Sequence, residues 1–150
     1  MKQSLNFNWH YVPRFEKEFL DQFPADHVQV DIPHTNKVLP LNYFGEQDFQ
    51  FVSTYELSFD VDVSIEERTL TLHFDGIMAQ AHLYLNGIDL GNHVSTYLPF
   101  DVDVTGKLKQ QGNRLVVVCD SREDPEIPPF GGEMDYISYG GIYREVSLLI

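Results

Sequence analysis

Hydrophobic and polar residues alternate regularly between residues 79 and 105, and this pattern predicts paired strands. Residues 81–85 are apolar at every second position, which is the period of a strand with one buried face. Asn86-Gly87 follows directly, and both residue types tolerate the positive φ angles of a tight type I′ turn. We therefore predict an antiparallel hairpin around Asn86-Gly87. Residues 100–104 alternate again and predict a further half-buried strand.

The same alternation predicts strands elsewhere in the chain, at residues 5–10, 28–32, 55–63, 70–74, 114–120 and 144–150. The near-continuous apolar run at 114–120 favours a strand covered on both faces. Residues 15–23 carry apolar side chains at helical spacing and predict one short helix that ends before Pro24. Short alternating strands joined by turns, with a single small helix, are typical of an antiparallel β-sandwich.

The predicted fold class is therefore all-β, with one domain over residues 1–150 and a core formed by one phase of each strand's alternation. The residues expected to point inward are Tyr55, Leu57, Phe59, Leu70, Leu72, Phe74, Leu83, Leu85, Val102 and Val104. Residues 34–50 lose the alternation and predict a loop that is long for a compact domain, which is where function often lies.

Composition and charge narrow the classes of partner. The chain of 150 residues has 43% hydrophobic residues and a formal net charge of −13, so it predicts a folded domain that does not bind nucleic acid or anionic membranes. Cys119, the one cysteine, lies in an apolar run and is expected to be a buried, inert thiol. The N-terminus shows no leader pattern and no stretch is long and apolar enough to span a membrane, so a cytoplasmic location is expected.

Residues 121–141 break the rhythm of strands and turns. The segment combines five carboxylates, three aromatic rings and two Gly-Gly pairs. Carboxylates accept hydrogen bonds from sugar hydroxyls, and aromatic rings cover the apolar face of a sugar ring, so this composition suits a carbohydrate site as well as an ordinary surface loop. The six histidines lack the spacing of a zinc site, and no GxSxG motif marks a nucleophile. No metal ligand is predicted from the residues themselves.

Four stretches of sequence carry a resemblance to a known family when they occur in this order. They are the YLNG turn, PFDVDVT, GNRLVVVCD and the YGGIYREV stretch that ends at Val146, and the blocks SLNFNWHYV, VDIPHT, STYELSFDV and LTLHFDGI extend the match over nearly the whole chain. Together they resemble the N-terminal sugar-binding domain of glycoside hydrolase family 2, which contains β-galactosidases, β-glucuronidases and β-mannosidases. The resemblance implies a jelly-roll β-sandwich of the galactose-binding-domain type, followed by an immunoglobulin-like domain and a catalytic barrel.

The resemblance also implies a substrate contact. In the β-galactosidase branch, an Asp nine residues before the Arg of the GGIYR-type motif reaches the galactose and a sodium ion; counting back from Arg144 gives Asp135. The candidate substrate-binding residues are therefore Asp135, Tyr136 and Tyr139, and apart from that sodium ion no cofactor is expected. The Asn-Pro segment that makes a second contact in this branch has no counterpart here, where the sequence reads FGEQDFQFV.

No catalytic residue is expected in this chain. Retaining glycosidases use two carboxylates flanking the bond that they cleave, and in this family both lie on the barrel, for which 150 residues are too few. The resemblance thus implies a non-catalytic domain that lends a loop to a β-galactoside pocket and packs against downstream domains of the same polypeptide. Two alternatives stay open, a freestanding lectin-like module and a pure scaffold for assembly or homo-oligomerisation.

Overall fold

The computed structural model describes residues 1–34, 52–95, 98–121 and 141–150. Within these residues the chain forms ten strands: β1 (Lys2–Ser4), β2 (Trp9–Val12), β3 (Val28–Val30), β4 (Val52–Phe59), β5 (Thr71–Phe74), β6 (Gln80–Leu85), β7 (Ile88–Val94), β8 (Phe100–Asp103), β9 (Asn113–Asp120) and β10 (Val146–Leu149). A short 3₁₀ helix, Lys17–Leu20, lies between β2 and β3. None of the helical structure in the described residues is long and apolar enough to cross a membrane.

The strands form two antiparallel sheets. One has four strands in the order β1-β10-β5-β8, and the other has six in the order β3-β2-β4-β9-β6-β7. The predicted all-β sandwich is confirmed. The Asn86-Gly87 hairpin is confirmed as well, because Asn86 has φ 51° and Gly87 has φ 81°, the positive values that a type I′ turn requires.

The core lies between the two sheets and is built from alternate residues of the strands. Nine of the ten residues expected to point inward are buried, whereas Phe59 is partly buried and packs against the edge of the core. Strand β9 is covered on both faces over Leu115–Val117, as its apolar run predicts. The thiol of Cys119 is fully buried, and this burial raises its pKa to about 12, so the expected inert thiol is confirmed.

Two local predictions were wrong. Residues 5–10 do not form one strand, because Asn8 adopts a left-handed backbone with φ 67° and separates β1 from β2. Residues 15–23 form only the single 3₁₀ turn Lys17–Leu20. Its last carbonyl groups, on Phe19 and Leu20, accept hydrogen bonds from the Arg114 guanidinium and not from the amides of a further helical turn.

Residues 13–27, which we call the covering segment, lie on the outer face of the six-stranded sheet and bury polar side chains there. The backbone carbonyl of Arg14 accepts a hydrogen bond from Thr54, a fully buried residue on that face. Beside it Glu56 is 8% exposed, and the Arg114 Nε donates to its carboxylate over 2.6 Å. The alternation of β4 predicts Glu56 on the outer side correctly, but the covering segment buries it there.

Phe74 offers a direct measure of core packing. Its side chain is fully buried and stacks on Phe100 with ring centroids 4.9 Å apart. We expect Phe74→Ala to lower the free energy of unfolding by about 3–5 kcal/mol in urea denaturation, because it empties an aromatic core site. Phe59→Ala is the matched control and should lose clearly less, since Phe59 is only partly buried. Equal losses would contradict this description of the core.

His73 gives the fold a predicted pH dependence. Its ring nitrogens lie 2.5 Å from an Asp101 carboxylate oxygen and 2.6 Å from an Asp75 carboxylate oxygen. These hydrogen bonds raise the pKa of His73 above its usual 6.5, with Asp101 the larger cause. The resulting stabilisation is therefore fully present below about pH 6.5 and lost as pH rises through the higher folded-state pKa.

The melting temperatures of the wild type and His73→Gln test this dependence between about pH 5.5 and pH 9. We expect the wild type to melt at a higher temperature than His73→Gln at the acidic end of this range. This difference in melting temperature should shrink as pH rises. Asp101→Asn, which removes the larger cause, should move this loss to lower pH. A difference that is constant with pH would refute the role of His73.

Candidate functional site

The three candidate substrate-binding residues, Asp135, Tyr136 and Tyr139, lie outside the described residues. The predicted loop at residues 34–50 also falls there, apart from His34. The flanking residues are described, however, and they show where each of these segments leaves and re-enters the sandwich.

Three of these boundaries, at Ser95, Asp120 and Gly141, meet around Met78 and Ala79. Gly141 forms an antiparallel bridge with Met78, with N–H···O distances of 3.0 and 3.2 Å. The Ala79 amide donates to the Asp120 carbonyl, and the Ala79 carbonyl accepts from the Ser95 amide, each over 3.0 Å. We call the end of the sandwich formed by His34, Val52, Ser95, Asp120 and Gly141 the loop-bearing end.

The two remaining boundaries, at Val52 and His34, belong to the same end of the sandwich. Val52, the first residue of β4, lies opposite Asp120, the last residue of β9. His34 is held beside Ile142, the residue that follows Gly141, because the His34 amide donates to the Ile142 carbonyl over 2.8 Å. Segments 35–51, 96–97 and 122–140 therefore all begin and end at the loop-bearing end.

One phenol ties this end to the sheet beneath it. The Tyr55 hydroxyl shares a hydrogen bond of 2.7 Å with Nδ1 of His34. The same phenol accepts a hydrogen bond from the backbone of Ile142. Because His34 and Ile142 are also joined through their backbones, the three residues form a closed set of hydrogen bonds. This set links β4 to the boundaries of two segments.

Tyr11, Tyr55 and His34 form a layer under the loop-bearing end, and none of the three carries a charge at neutral pH. Burial raises the pKa of both Tyr11 and Tyr55 above the usual value of 10.0, so both phenols stay protonated. Burial lowers the pKa of His34 below 6.5, which keeps its imidazole neutral and able to accept the Tyr55 proton. The rings of these residues pack closely, with the centroids of Tyr11 and His34 4.7 Å apart.

This arrangement positions chain segments and does not perform chemistry by itself. The described residues contain no cluster of three or more His, Cys, Asp or Glu side chains that could hold a metal ion. The protonated thiol of Cys119 is no nucleophile, since the thiolate is the reactive form. The layer is instead a neutral, hydrogen-bonded support for the segments that leave the loop-bearing end.

Sequence reasoning missed His34, Tyr55 and Ile142 as a unit. Tyr55 is predicted correctly in the core, but an alternating pattern does not distinguish a buried phenol with two hydrogen-bond partners from a purely apolar side chain. A signal was available, because VDIPHT ends just after His34 and YGGIYREV contains Ile142, and both belong to the family blocks.

Comparison with known proteins decides the family. The sequence model of the family described as "Glycosyl hydrolases family 2, sugar binding domain" matches residues 27–150. The chain belongs to this family.

Family 2 enzymes of known name match over nearly the whole chain. The β-galactosidase of Thermoanaerobacterium thermosulfurigenes is 42% identical over 148 residues, covering 96% of this chain and 20% of that protein. The β-galactosidase of Thermoanaerobacter pseudethanolicus is 39% identical over 158 residues, covering 99% of this chain and 21% of that protein. The chain thus spans about a fifth of the length of these relatives.

Solved structures show the same sandwich. A β-glucuronidase from an uncultured Clostridium species superimposes with a TM-score of 0.84 at 25% identity, covering 99% of this chain and 28% of that one. The strand arrangement of the described residues is therefore also found in a much longer β-glucuronidase chain.

Removing the Tyr55 hydroxyl tests the closed set of hydrogen bonds. We expect Tyr55→Phe to lower the free energy of unfolding by about 1–3 kcal/mol, because it leaves partners of a buried hydroxyl unsatisfied. Amide hydrogen exchange should also become faster at His34 and Ile142 than elsewhere in the sheet.

Tyr84→Phe is the matched control, because the Tyr84 hydroxyl has no hydrogen-bond partner in the described part of the chain. We expect it to change the free energy of unfolding by less than about 0.5 kcal/mol. If both variants unfold alike, the Tyr55 hydroxyl does not hold the loop-bearing end.

Proposed function

We propose that this chain is the non-catalytic N-terminal domain of a family 2 glycosidase that acts on β-galactosides. The observation that carries this proposal is the 42% identity, over 96% of the chain, to a β-galactosidase. Because the chain spans 20% of that protein, activity is assigned to the remainder of a longer polypeptide. A (β/α)₈ barrel needs about 250 residues, more than this sandwich contains.

The proposed role of the domain is to carry segments to a substrate pocket formed with the downstream domains. By sequence, Asp135 belongs to the segment between Asp120 and Gly141, and both of these residues lie at the loop-bearing end. A carboxylate contributed in this way would accept hydrogen bonds from two sugar hydroxyls. Tyr136 and Tyr139 would cover the apolar face of the sugar ring.

The hydrogen-bonded base of the loop-bearing end supports this role. A loop can place a carboxylate accurately only when its ends are fixed, because its contribution to catalysis depends on orientation. The Met78–Gly141 bridge fixes one end and the ladder at Asp120 fixes the other. The sodium ion at Asp135, the cytoplasmic location and the boundaries of the domain stay predictions of the same proposal.

Asp135→Ala in the complete glycosidase tests the proposal. We expect kcat/KM for an aryl β-galactoside to fall at least about tenfold, which corresponds to about 1.4 kcal/mol of lost transition-state stabilisation. The melting temperature should not change, since the residue is proposed to contact substrate and not the core. The 150-residue chain alone is the negative control and should hydrolyse no aryl-glycoside.

Glu123→Gln, in the same stretch of sequence, is the matched variant, because it removes a carboxylate that the family motif does not single out. Its kcat/KM should stay near that of the wild type. Retained activity in Asp135→Ala, or unfolding of that variant, would assign Asp135 to the fold and not to the substrate.

A further inference from the structure

A small open cavity lies on the outer face of the six-stranded sheet, where the end of the 3₁₀ turn meets β6 and β9. Its volume is about 220 Å³, and its lining includes Leu20, Asp21, Tyr84, Asp89, Arg114 and Val116. Pockets for drug-sized ligands have volumes of roughly 300–1,000 Å³, so this cavity suits a smaller molecule, of the size of one monosaccharide.

The cavity is separate from the loop-bearing end. Arg114 lies six residues before Asp120 on the same strand, β9. At about 3.3 Å per residue, Arg114 lies roughly 20 Å from Asp120 along the strand. The Arg114 side of the cavity is therefore well separated from the loop-bearing end.

The apolar part of the cavity is preorganised. The Tyr84 ring stacks on His82 with a centroid distance of 4.7 Å and an interplanar angle of 22°, which fixes its orientation. Val116, beside it on β9, is 2% exposed. The Tyr84 hydroxyl makes no hydrogen bond within the described residues, so its donor and acceptor are available to a ligand.

Two carboxylates flank this surface. Oδ1 of Asp89 accepts from the Gly91 amide over 2.7 Å and lies 2.6 Å from Nε2 of His82. These contacts hold the Asp89 carboxylate in place, and its second oxygen has no hydrogen-bond partner among the described residues. The Asp21 side chain, exposed at the end of the 3₁₀ turn, forms no hydrogen bond or ion pair with another described residue.

Arg114 determines which charge the cavity can accept. Its Nε donates to Glu56 over 2.6 Å, and its terminal nitrogens donate to the carbonyls of Phe19 and Leu20. The guanidinium is therefore already neutralised and cannot compensate a second carboxylate. Asp21 and Asp89 repel an anion, and their carboxylate oxygens accept hydrogen bonds from hydroxyl groups. The lining therefore favours a neutral, hydroxyl-rich ligand over an acidic one.

We propose that this cavity binds one neutral pyranose residue, with its apolar ring face against Tyr84 and its hydroxyls donating to Asp21 and Asp89. The site is a second carbohydrate contact on the domain. It does not depend on Asp135 or on the activity proposed above, because all of its lining lies on β6, β7, β9, the turn between β6 and β7, and the covering segment.

Nuclear magnetic resonance titration of the ¹⁵N-labelled 150-residue chain tests the proposal. The probes are methyl β-D-galactopyranoside, which is neutral, and methyl β-D-glucopyranosiduronate, which carries one carboxylate. We expect the galactoside to shift amides near Tyr84, Asp89 and Arg114 with saturation in the millimolar range, and the uronide to bind at least about fivefold more weakly.

Variants assign the binding to this cavity. Asp21→Asn should weaken binding of the galactoside about fivefold or more, because it replaces a charged acceptor, and Tyr84→Ala should abolish it. Glu66→Gln, which removes another exposed carboxylate with no side-chain partner in the described residues, should leave it unchanged.

Several results would overturn the site. They are the absence of saturable shifts at these amides, equal binding of the two probes, or unchanged binding in Asp21→Asn. If Tyr84→Ala fails to fold, Asp21→Asn decides, since its side chain is exposed and unpaired. Failure of the Asp135→Ala test in the complete enzyme would leave these shifts in place, so the two proposals fail separately.

Discussion

The antiparallel pairing of β4 with β9 is the constraint on which the rest of this structure depends. Eight residue pairs join the two strands, from Val52 opposite Asp120 to Phe59 opposite Asn113. Strand β2 attaches to β4 on one side, and β6 attaches to β9 on the other. A shift of one residue in this ladder would turn the inward side chains of β4 to the outer face. It would also separate the strand ends that form the loop-bearing end.

The two faces of this ladder serve different purposes. On the inner face, Tyr55 holds His34 and Ile142, so segments distant in the sequence leave the sandwich side by side. On the outer face, Glu56 and Arg114 form a pair and fasten the covering segment to the sheet. Removing one partner of such a pair would leave a poorly solvated charge, which is strongly unfavourable. Arg114, one member of this pair, also lines the proposed pyranose cavity.

Much of the fold follows from the sequence because alternation is a local signal of burial. The strands, the core phase and the Asn86-Gly87 hairpin are predicted from residues that are neighbours in the chain. The errors arise where distant contacts outweigh local preference. The helical spacing at residues 15–23 gives only one 3₁₀ turn, because Arg114 takes the carbonyl groups of Phe19 and Leu20.

The candidate sites show the same division. Family motifs single out Asp135, Tyr136 and Tyr139 because they occur in a recognisable order, although these residues lie outside the described part of the structure. The pyranose cavity has no motif, because Asp21 and Tyr84 come from distant parts of the chain and meet only when the covering segment lies on the sheet. Neither residue is unusual in its local sequence.

By itself, the sequence determined the sheet-forming segments, their buried faces, the hairpin turn and the family, because each depends on residues close together or in a fixed order. Only the tertiary structure decided which polar side chains are buried and with what partners. It alone brings the segment boundaries together at His34, Val52, Ser95, Asp120 and Gly141. The physical reason is that hydrogen bonds between residues distant in sequence leave no periodic pattern in the chain, whereas the burial of one strand face does.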